Sequence, residues 1–383
     1  MPWKETTKVK EREEMVEKLK TGLYTVAELA EQYGVSRPTV YLWKERSEAG
    51  ESLLNREPIA NCFPQATDPV VILRLLAAKK EKPHWGPSKQ RARLLEAYPE
   101  VPWPAVSTIG GIYEANGLVR KRRRRRKAVP IRRLLQSEPL RSGEMMSCDH
   151  KGWFRLGSGQ YCYPLTISDP FSRYIYAIDA LDSTSLERAR PVFTRILREN
   201  GVPEKMLSDN GGPFCCSRSL AGLTRLSVSW IKQGILPVRI RKGCPWENGI
   251  HERMHRTLKA ETTKPASANP LDQQKRFDVF REEFNHDRPH EALADRPPVS
   301  AFERCRREYS ERAAQADVEY PGQFETRRVR NRGQIKWQGQ QLFLTEALTG
   351  ERVGLEESGT GTWTVHFGGL EIGRYDERTK SLT

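Results

Sequence analysis

The sequence has few cysteines, none in a metal-binding spacing, and no long apolar segment. Its seven cysteines are scattered along 383 residues without a CxxC pair, and its seven histidines lack the spacing of zinc ligands. This pattern argues against a disulfide framework or a zinc finger and is typical of reduced thiols inside a cell. The most apolar stretch, Val70–Ala78, is short and contains Arg74, so we expect no membrane-spanning helix. Because the first residues also lack the apolar segment of a signal peptide, we expect a cytoplasmic protein.

Positive charge, by contrast, is in excess. The sequence has 64 Lys and Arg residues against 49 Asp and Glu residues, which gives a formal net charge of +15. Such an excess favours a polyanionic partner, most simply nucleic acid. At roughly 150 residues per domain, the length predicts two or three domains.

Composition predicts a multidomain chain with five segments. They are an all-α helix-turn-helix DNA-binding domain at 1–60, a second helical DNA-binding domain at 65–119, a basic linker at 120–139, an α/β core at 140–305 and a small β-barrel at 320–383. The second segment can also be interpreted as a purely structural helical bundle. The tail can serve DNA contact or dimerisation.

The linker contains eight consecutive basic residues, Arg120–Lys127. Eight like charges repel one another and cannot fold alone, so we expect this run to follow a phosphate backbone or a minor groove. The residues predicted to contact DNA here are Arg122, Arg123, Arg124, Arg125 and Arg126.

The first segment carries a helix-turn-helix pattern. Thr25 and Glu28 have the spacing of a capping box that opens a helix, and Gly34 supplies the turn to a second helix. In that second helix, Val40 and Trp43 form a buried stripe. The residues of this helix predicted to face a major groove are Arg37, Thr39, Tyr41 and Lys44. An ordinary helical hairpin would show the same pattern.

The middle segment predicts the element order β-β-β-α-β-α-β-α, a five-stranded mixed sheet with helices on its faces. Asp149 lies within the first strand, and Asp209 ends the fourth strand just before a Gly-rich turn. Closely packed carboxylates repel each other unless a divalent cation lies among them, and an oxygen-only site suits Mg²⁺ or Mn²⁺. Two such ions can clamp the attacking and leaving oxygens of an in-line phosphoryl transfer.

Four motifs in this order resemble those of the DDE transposases of bacterial insertion sequences, which share an integrase catalytic core with retroviral integrases. The motifs are Cys148–Gly152, Ser208–Gly211, Glu247–Arg253 and the segment from Asn285 through Arg288-Pro289-His290 to Pro298. The resemblance implies an RNase H-like core, metal-dependent cleavage at transposon ends, and strand transfer by the freed 3′-hydroxyl. It also implies that Asp149, Asp209 and Glu252 are the catalytic triad that binds Mg²⁺ or Mn²⁺, with two ions in the site.

The same resemblance implies the partners and the location of the protein. The expected partners are double-stranded DNA, both as transposon ends and as target, and further copies of the chain in a synaptic homo-oligomer. We expect the protein in the bacterial cytoplasm, associated with the nucleoid.

The third acid can be either of two residues. Forty-two residues separate Asp209 from Glu252, which is longer than is usual in the family, and Glu247 would shorten the gap. Glu247, however, occupies the first turn of the predicted helix, where the helix dipole alone favours an acid. Glu252 is instead followed at i+3, i+4 and i+7 by DNA-seeking residues on one helical face, which favours Glu252. These residues are His255, Arg256 and Lys259.

Two other functions fit the sequence. One is a non-catalytic DNA-binding regulator derived from a transposase, and the other is a metal-dependent nuclease without strand transfer. The presence of all three acids favours the enzyme, and a strand-transfer assay separates the nuclease from the transposase.

Overall fold

The computed structural model describes residues 6–55, 66–119, 138–217, 219–241 and 249–383. The chain divides into two units, Met1–Thr67 and Asp68–Thr383, each of which is described by itself. Within the described ranges, no helix combines the length and the apolar character needed to cross a membrane.

The first unit contains the three helices expected of a helix-turn-helix domain. They are α1 (Lys8–Lys20), α2 (Val26–Gln32) and α3 (Arg37–Glu48). The predicted capping box is confirmed, because the Glu28 amide donates to Thr25 Oγ1 and the Thr25 amide donates to the Glu28 carboxylate. Gly34 has a φ of +62°, which an L side chain rarely adopts, and it turns the chain between α2 and α3. Val40 and Trp43 are buried as predicted.

The second unit begins with another three-helix cluster. Its helices are α4 (Pro69–Glu81), α5 (Pro87–Ala97) and α6 (Val106–Ala115). Helix α6 begins at Val106 and ends before Asn116-Gly117, where Gly117 has a φ of +70°. The helices enclose a small apolar core that includes Leu75, Ile109 and Tyr113.

The central sheet follows the predicted order of elements. Its strands are β1 (Met145–His150), β2 (Phe154–Arg155), β3 (Tyr161–Ser168), β4 (Ile175–Leu181), β5 (Lys205–Ser208) and β6 (Leu236–Arg239). Its helices are α7 (Leu186–Asn200), α8 (Arg225–Lys232), α9 (Gly249–Thr262) and α10 (Pro270–His286), and a short α11 (Glu311–Gln315) follows.

The strands lie in the order β4–β3–β1–β5–β6, and β2 pairs with β3 beyond the end of β1. The pairs β1/β3 and β3/β4 are antiparallel, whereas β1/β5 and β5/β6 are parallel. The sheet therefore has six strands rather than the predicted five, because β2 is an additional short strand that continues β1 along the same edge of β3. Its mixed character is confirmed. This arrangement fits the RNase H-like core implied by the resemblance. One face packs against α7 and α8, and the other packs against α9 and α10.

The tail forms an open sheet rather than the predicted closed barrel. Its strands are β7 (Glu325–Arg328), β8 (Gln334–Trp337), β9 (Gln340–Phe343), β10 (Arg352–Gly359), β11 (Thr362–Phe367), β12 (Leu370–Asp376) and β13 (Ser381–Leu382). Five of them form an antiparallel sheet in the order β13–β12–β11–β10–β7, and β8 and β9 form a separate hairpin. The barrel is therefore not confirmed.

In a closed barrel, the apolar face of the tail sheet would be enclosed by the barrel itself. Here residues of the core domain cover that face. Leu220, Leu223, and Val228 and Ile231 of α8 pack into the same apolar cluster as the tail sheet. Beside them, Lys232 Nζ lies 2.9 Å from a Glu351 carboxylate oxygen in a largely buried ion pair. A sheet that buries its face against another element has no need to close on itself.

The stretch between Asp209 and α8 takes part in this contact. It contains the turn at Leu220–Gly222, and the start of α8 follows it. Leu220 and Leu223 pack against the tail sheet, so this stretch helps to seat the tail on the core.

Candidate catalytic site

The first two predicted acids lie level with each other on neighbouring parallel strands. The register pairs Met145 with Lys205 and Ser147 with Leu207, so Asp149 and Asp209 follow two residues beyond the last pair. Side chains alternate along a strand, and the intervening Cys148 points into the α7 and α8 core. Asp149 and Asp209 therefore point toward the face that α9 covers.

Asp149 is held in an environment that disfavours its charge. Burial raises the pKa of Asp149 to about 7, and the negative charge of Asp209 adds to the rise. A backbone hydrogen bond and Lys151 oppose the rise in pKa, and Glu252 contributes a smaller part of it. Two carboxylates that repel each other at the end of a sheet make a site of negative potential, which a cation would stabilise.

Glu252, the predicted third acid, is less buried than Asp149. Glu252 lies in the first turn of α9 and is exposed. Among the residues that the structure describes, no group of three or more His, Cys, Asp or Glu side chains is arranged to hold a metal ion. The oxygen donors of Asp149 and Asp209 fit a hard divalent cation chemically, and Glu252 would have to approach them. The competing candidate, Glu247, lies outside the described residues.

The helix that carries Glu252 presents two histidines to the sheet rather than to solvent. His251 and His255 are 1% and 5% exposed, and the Nε2 atom of each lies within 2.7 Å of the Thr166 hydroxyl oxygen. His255 Nδ1 also lies 3.8 Å from a carboxylate oxygen of Asp149. The prediction that His255 faces DNA is therefore wrong for this structure, because its ring packs beneath Asp149. Burial, more than any neighbouring charge, lowers the pKa of His255 to about 2.

The other two predicted cations of α9 are exposed. Arg256 and Lys259 face solvent, and the charge of Lys259 reaches Lys151, which follows Asp149 by two residues. Burial first, and Lys259 second, lower the pKa of Lys151. Positive charge thus borders the pair of acids, as a site that receives a phosphate backbone requires.

In the first unit, the predicted DNA-contacting residues lie on α3 as expected from its helical spacing. Arg37 and Tyr41 are exposed, Thr39 and Lys44 are half-buried, and Lys44 pairs with Glu48 at 3.7 Å. The five arginines Arg122 to Arg126 lie outside the described residues.

The segment that follows the core joins several elements instead of lining the site. Asn285 accepts a hydrogen bond from the Ile175 amide and donates one to the Ile175 carbonyl, which fixes α10 to the edge strand β4. Arg288 makes a buried bidentate ion pair with Glu261 of α9, at 2.8 and 3.1 Å. The Pro289 carbonyl accepts a hydrogen bond from Lys89 of α5. The segment from Asn285 to Pro289 therefore helps to hold the second helical cluster on the core.

Sequence reasoning missed Thr166, Ser147 and His251. The available signal was Thr166 and Ser168, two positions apart on β3, together with histidines four positions apart on one helix. Those spacings place the side chains on facing surfaces, but only the packing of α9 on the sheet brings them together.

Three family models match separate parts of the chain. A homeodomain-like helix-turn-helix model matches residues 6–54, an integrase core domain model matches residues 233–298, and the model of the C-terminal domain of IS481 family transposases matches residues 324–383. Together, the three matches support an IS481-family DDE transposase. The integrase core match contains Glu252 and the Arg288 segment.

Curated relatives of the chain include viral polyproteins. The Gag-Pol polyproteins of woolly monkey sarcoma virus and koala retrovirus are each 33% identical to it over 104 residues. This stretch is 27% of the chain but only 6% of the length of each relative.

Solved structures with a similar fold also come from retroviruses. The catalytic core domain of HTLV-2 integrase in complex with magnesium is 12% identical, with a TM-score of 0.34, and the match covers 43% of this chain and 100% of that one. A simian T-cell lymphotropic virus intasome in complex with the B56 gamma subunit of PP2A is 13% identical, with a TM-score of 0.37, and the match covers 75% of this chain and 91% of that one.

Proposed function

We propose that the chain binds transposon-end DNA, cleaves a strand with the help of Mg²⁺ or Mn²⁺, and joins the freed 3′-hydroxyl to target DNA. The observation that carries the proposal is the placement of Asp149 and Asp209 level with each other on parallel strands, where the charge of Asp209 adds to the rise in the pKa of Asp149. The matches to an integrase core domain and to the C-terminal domain of IS481 family transposases support the same activity.

In this proposal Asp149, Asp209 and Glu252 hold the divalent ions, two to a site. When bound, the ions supply Lewis-acid stabilisation of the charge that develops on the phosphate. The chain itself contributes the carboxylates at the sheet end, and the exposed Arg256 and Lys259 orient the DNA backbone beside them. Because strand cleavage leaves a 3′-hydroxyl, the same site can activate first water and then that hydroxyl.

The proposed division of labour gives DNA recognition to segments 1–60 and 65–119, with the basic linker at 120–139 adding phosphate contacts and the core at 140–305 performing the chemistry. We further propose that copies of the chain pair two transposon ends in a synaptic homo-oligomer.

The deciding experiment uses the full chain and DNA duplexes that carry the ends of the element, with one 3′-end labelled. We expect labelled products longer than the substrate, since these arise only when the 3′-hydroxyl attacks a second duplex. Shortened products alone would identify a nuclease without strand transfer. Specific binding without any product in Mg²⁺ or Mn²⁺ would identify a non-catalytic DNA-binding regulator.

Binding should depend steeply on salt. If six or more phosphates are neutralised by Lys and Arg, affinity for end DNA should fall on the order of 10³-fold between about 50 and 200 mM salt. Filter binding or fluorescence anisotropy measures this slope. Affinity that is independent of salt would contradict an electrostatic interface.

Two variants should separate positioning contacts from sequence reading. Replacing Arg122–Arg126 with Ala should weaken binding to all duplexes alike, because phosphate contacts carry no sequence information. Arg37→Ala should instead narrow the ratio between specific and random sites, since Arg37 lies exposed at the start of α3. If Arg37→Ala instead weakened binding to specific and random sites by the same factor, α3 would not read the sequence.

Comparison of Glu252→Gln with Glu247→Gln tests the third acid. We expect Glu252→Gln to abolish strand cleavage with DNA binding retained, because the Glu252 charge already reaches Asp149. Glu247→Gln should keep most activity. The reverse pattern would assign the third metal ligand to Glu247.

A further inference from the structure

A buried set of polar side chains connects α9 to the sheet directly beneath Asp149. It consists of Ser147 on β1, Thr166 on β3, and His251 and His255 on α9, and we call it the Thr166 network. All four side chains are at most 5% exposed. The two imidazole rings meet edge to face, with their centroids 4.8 Å apart.

The hydrogen bonds of Thr166 determine how this network is oriented. Its hydroxyl donates its single proton to the backbone carbonyl of Asp149, at 3.0 Å. The same oxygen can then only accept from His251 Nε2, at 2.6 Å, and from His255 Nε2, at 2.7 Å. Both rings therefore carry their proton on Nε2.

The remaining ring nitrogens point to two different places. His251 Nδ1 accepts from the Ser147 hydroxyl at 3.0 Å. His255 Nδ1 faces the carboxylate of Asp149 at 3.8 Å, and thus borders the place where that side chain lies. The network holds the backbone of Asp149 through Thr166 and flanks its carboxylate through His255.

The two histidines also enclose the third acid along the chain. Glu252 follows His251 directly and precedes His255 by three residues, so fixing both rings fixes the turn of α9 that carries Glu252. The apolar residues of α9, Met254 and Leu258, already attach the helix to the sheet. Apolar packing alone could stabilise the attachment of α9 equally well. Buried polar groups additionally restrict the helix to one geometry.

We propose that the Thr166 network is a positioning device that fixes the location of Asp149 relative to Glu252. This inference rests on the proposed function, because it concerns the residues to which that function assigns the metal ions. Groups that orient metal ligands in this way change metal affinity or activity about 10- to 100-fold when they are removed.

The test compares four full-length variants. Thr166→Val removes the hydroxyl, and Thr166→Ser retains it. Thr262→Val is the matched control, because Thr262 is a buried threonine of α9 whose hydroxyl donates to the Leu258 carbonyl in the same helix. Asp149→Asn reports on the proposed function itself.

Two quantities are measured for each variant. The first is kcat for strand transfer at saturating DNA, with KM for DNA determined in parallel. The second needs no turnover and is the Mg²⁺ concentration that gives the half-maximal rise in melting temperature of the DNA-free chain.

We expect Thr166→Val to lower kcat and apparent Mg²⁺ affinity by about 10- to 100-fold with KM unchanged. Thr166→Ser should restore both quantities, and Thr262→Val should leave both unchanged. Wild-type kcat and Mg²⁺ affinity in Thr166→Val, beside an inactive Asp149→Asn, would overturn the positioning role and leave the proposed function intact. A fully active Asp149→Asn would overturn the proposed function instead.

A second pair of variants covers the case in which Thr166→Val unfolds. His255→Gln keeps a donor where Nε2 lies, and His255→Leu removes it. We expect His255→Leu to lose Mg²⁺ affinity and kcat and His255→Gln to recover them at least in part. Equal values for the two variants would overturn the proposal.

Discussion

Asp149→Asn is expected to abolish strand cleavage and strand transfer, with a loss on the order of 10³-fold or more in kcat. The substitution removes a ligand charge from the sheet end but changes neither the size of the side chain nor an apolar contact. Asp209→Asn should have the same effect, because the two carboxylates lie level on β1 and β5. Labelled-end assays with Mg²⁺ and with Mn²⁺ measure the loss.

Asp149→Asn should lose activity without losing thermal stability. The pKa of Asp149 is raised by burial and by Asp209, so its charge is unfavourable in the metal-free chain. Asp149→Asn should therefore leave the melting temperature of the metal-free chain unchanged or higher, and should remove the rise that Mg²⁺ produces.

Asp179→Asn is the matched control for this prediction. Asp179 lies on β4 of the same sheet, and burial raises its pKa too, but its carboxylate is bound by Arg195 at 2.8 Å. We expect Asp179→Asn to keep its response to Mg²⁺ and most of its activity. Retained cleavage in Asp149→Asn would mean that a different acid holds the metal.

Arg288→Ala is expected to give the largest loss of stability, about 3–5 kcal/mol in the free energy of unfolding. Arg288 and Glu261 are 6% and 13% exposed, so removing the guanidinium leaves a buried carboxylate without its bidentate partner. The guanidinium also lies 5.6 Å from the centre of the Trp85 ring, which belongs to the second helical cluster. Urea unfolding of the full chain, followed by tryptophan fluorescence, measures the change.

Two further variants show whether charge burial causes the loss. Arg188→Ala removes an exposed ion pair with Asp182, each side chain being 58% exposed, and should cost less than about 1 kcal/mol. Replacing Arg288 with Met and Glu261 with Leu together should be less harmful than Arg288→Ala, since no unpaired charge stays buried. A double variant as unstable as the single one would assign the loss to packing.

Local sequence patterns predicted the elements and the position of the two strand acids. The capping box at Thr25 and Glu28 is confirmed, and so is the predicted alternation of strands and helices in the core, apart from the additional short strand β2. Each depends on spacings of two to four residues, which act within one helix, turn or strand. Period-two patterns predicted Asp149 within the first strand and Asp209 at the end of the strand before α8, whereas the level position of the two acids on parallel strands comes from the sheet topology.

The tertiary structure alone decided which surfaces are covered. His255 has the helical spacing of a DNA-facing residue, yet its ring is buried because α9 packs that face against Thr166. The tail has the alternation of a barrel, yet its sheet stays open because Leu220 and Leu223 of the core pack against it. Helical and strand periods define which residues share a face, whereas the partner of that face comes from contacts between residues far apart in the chain, which no local spacing encodes.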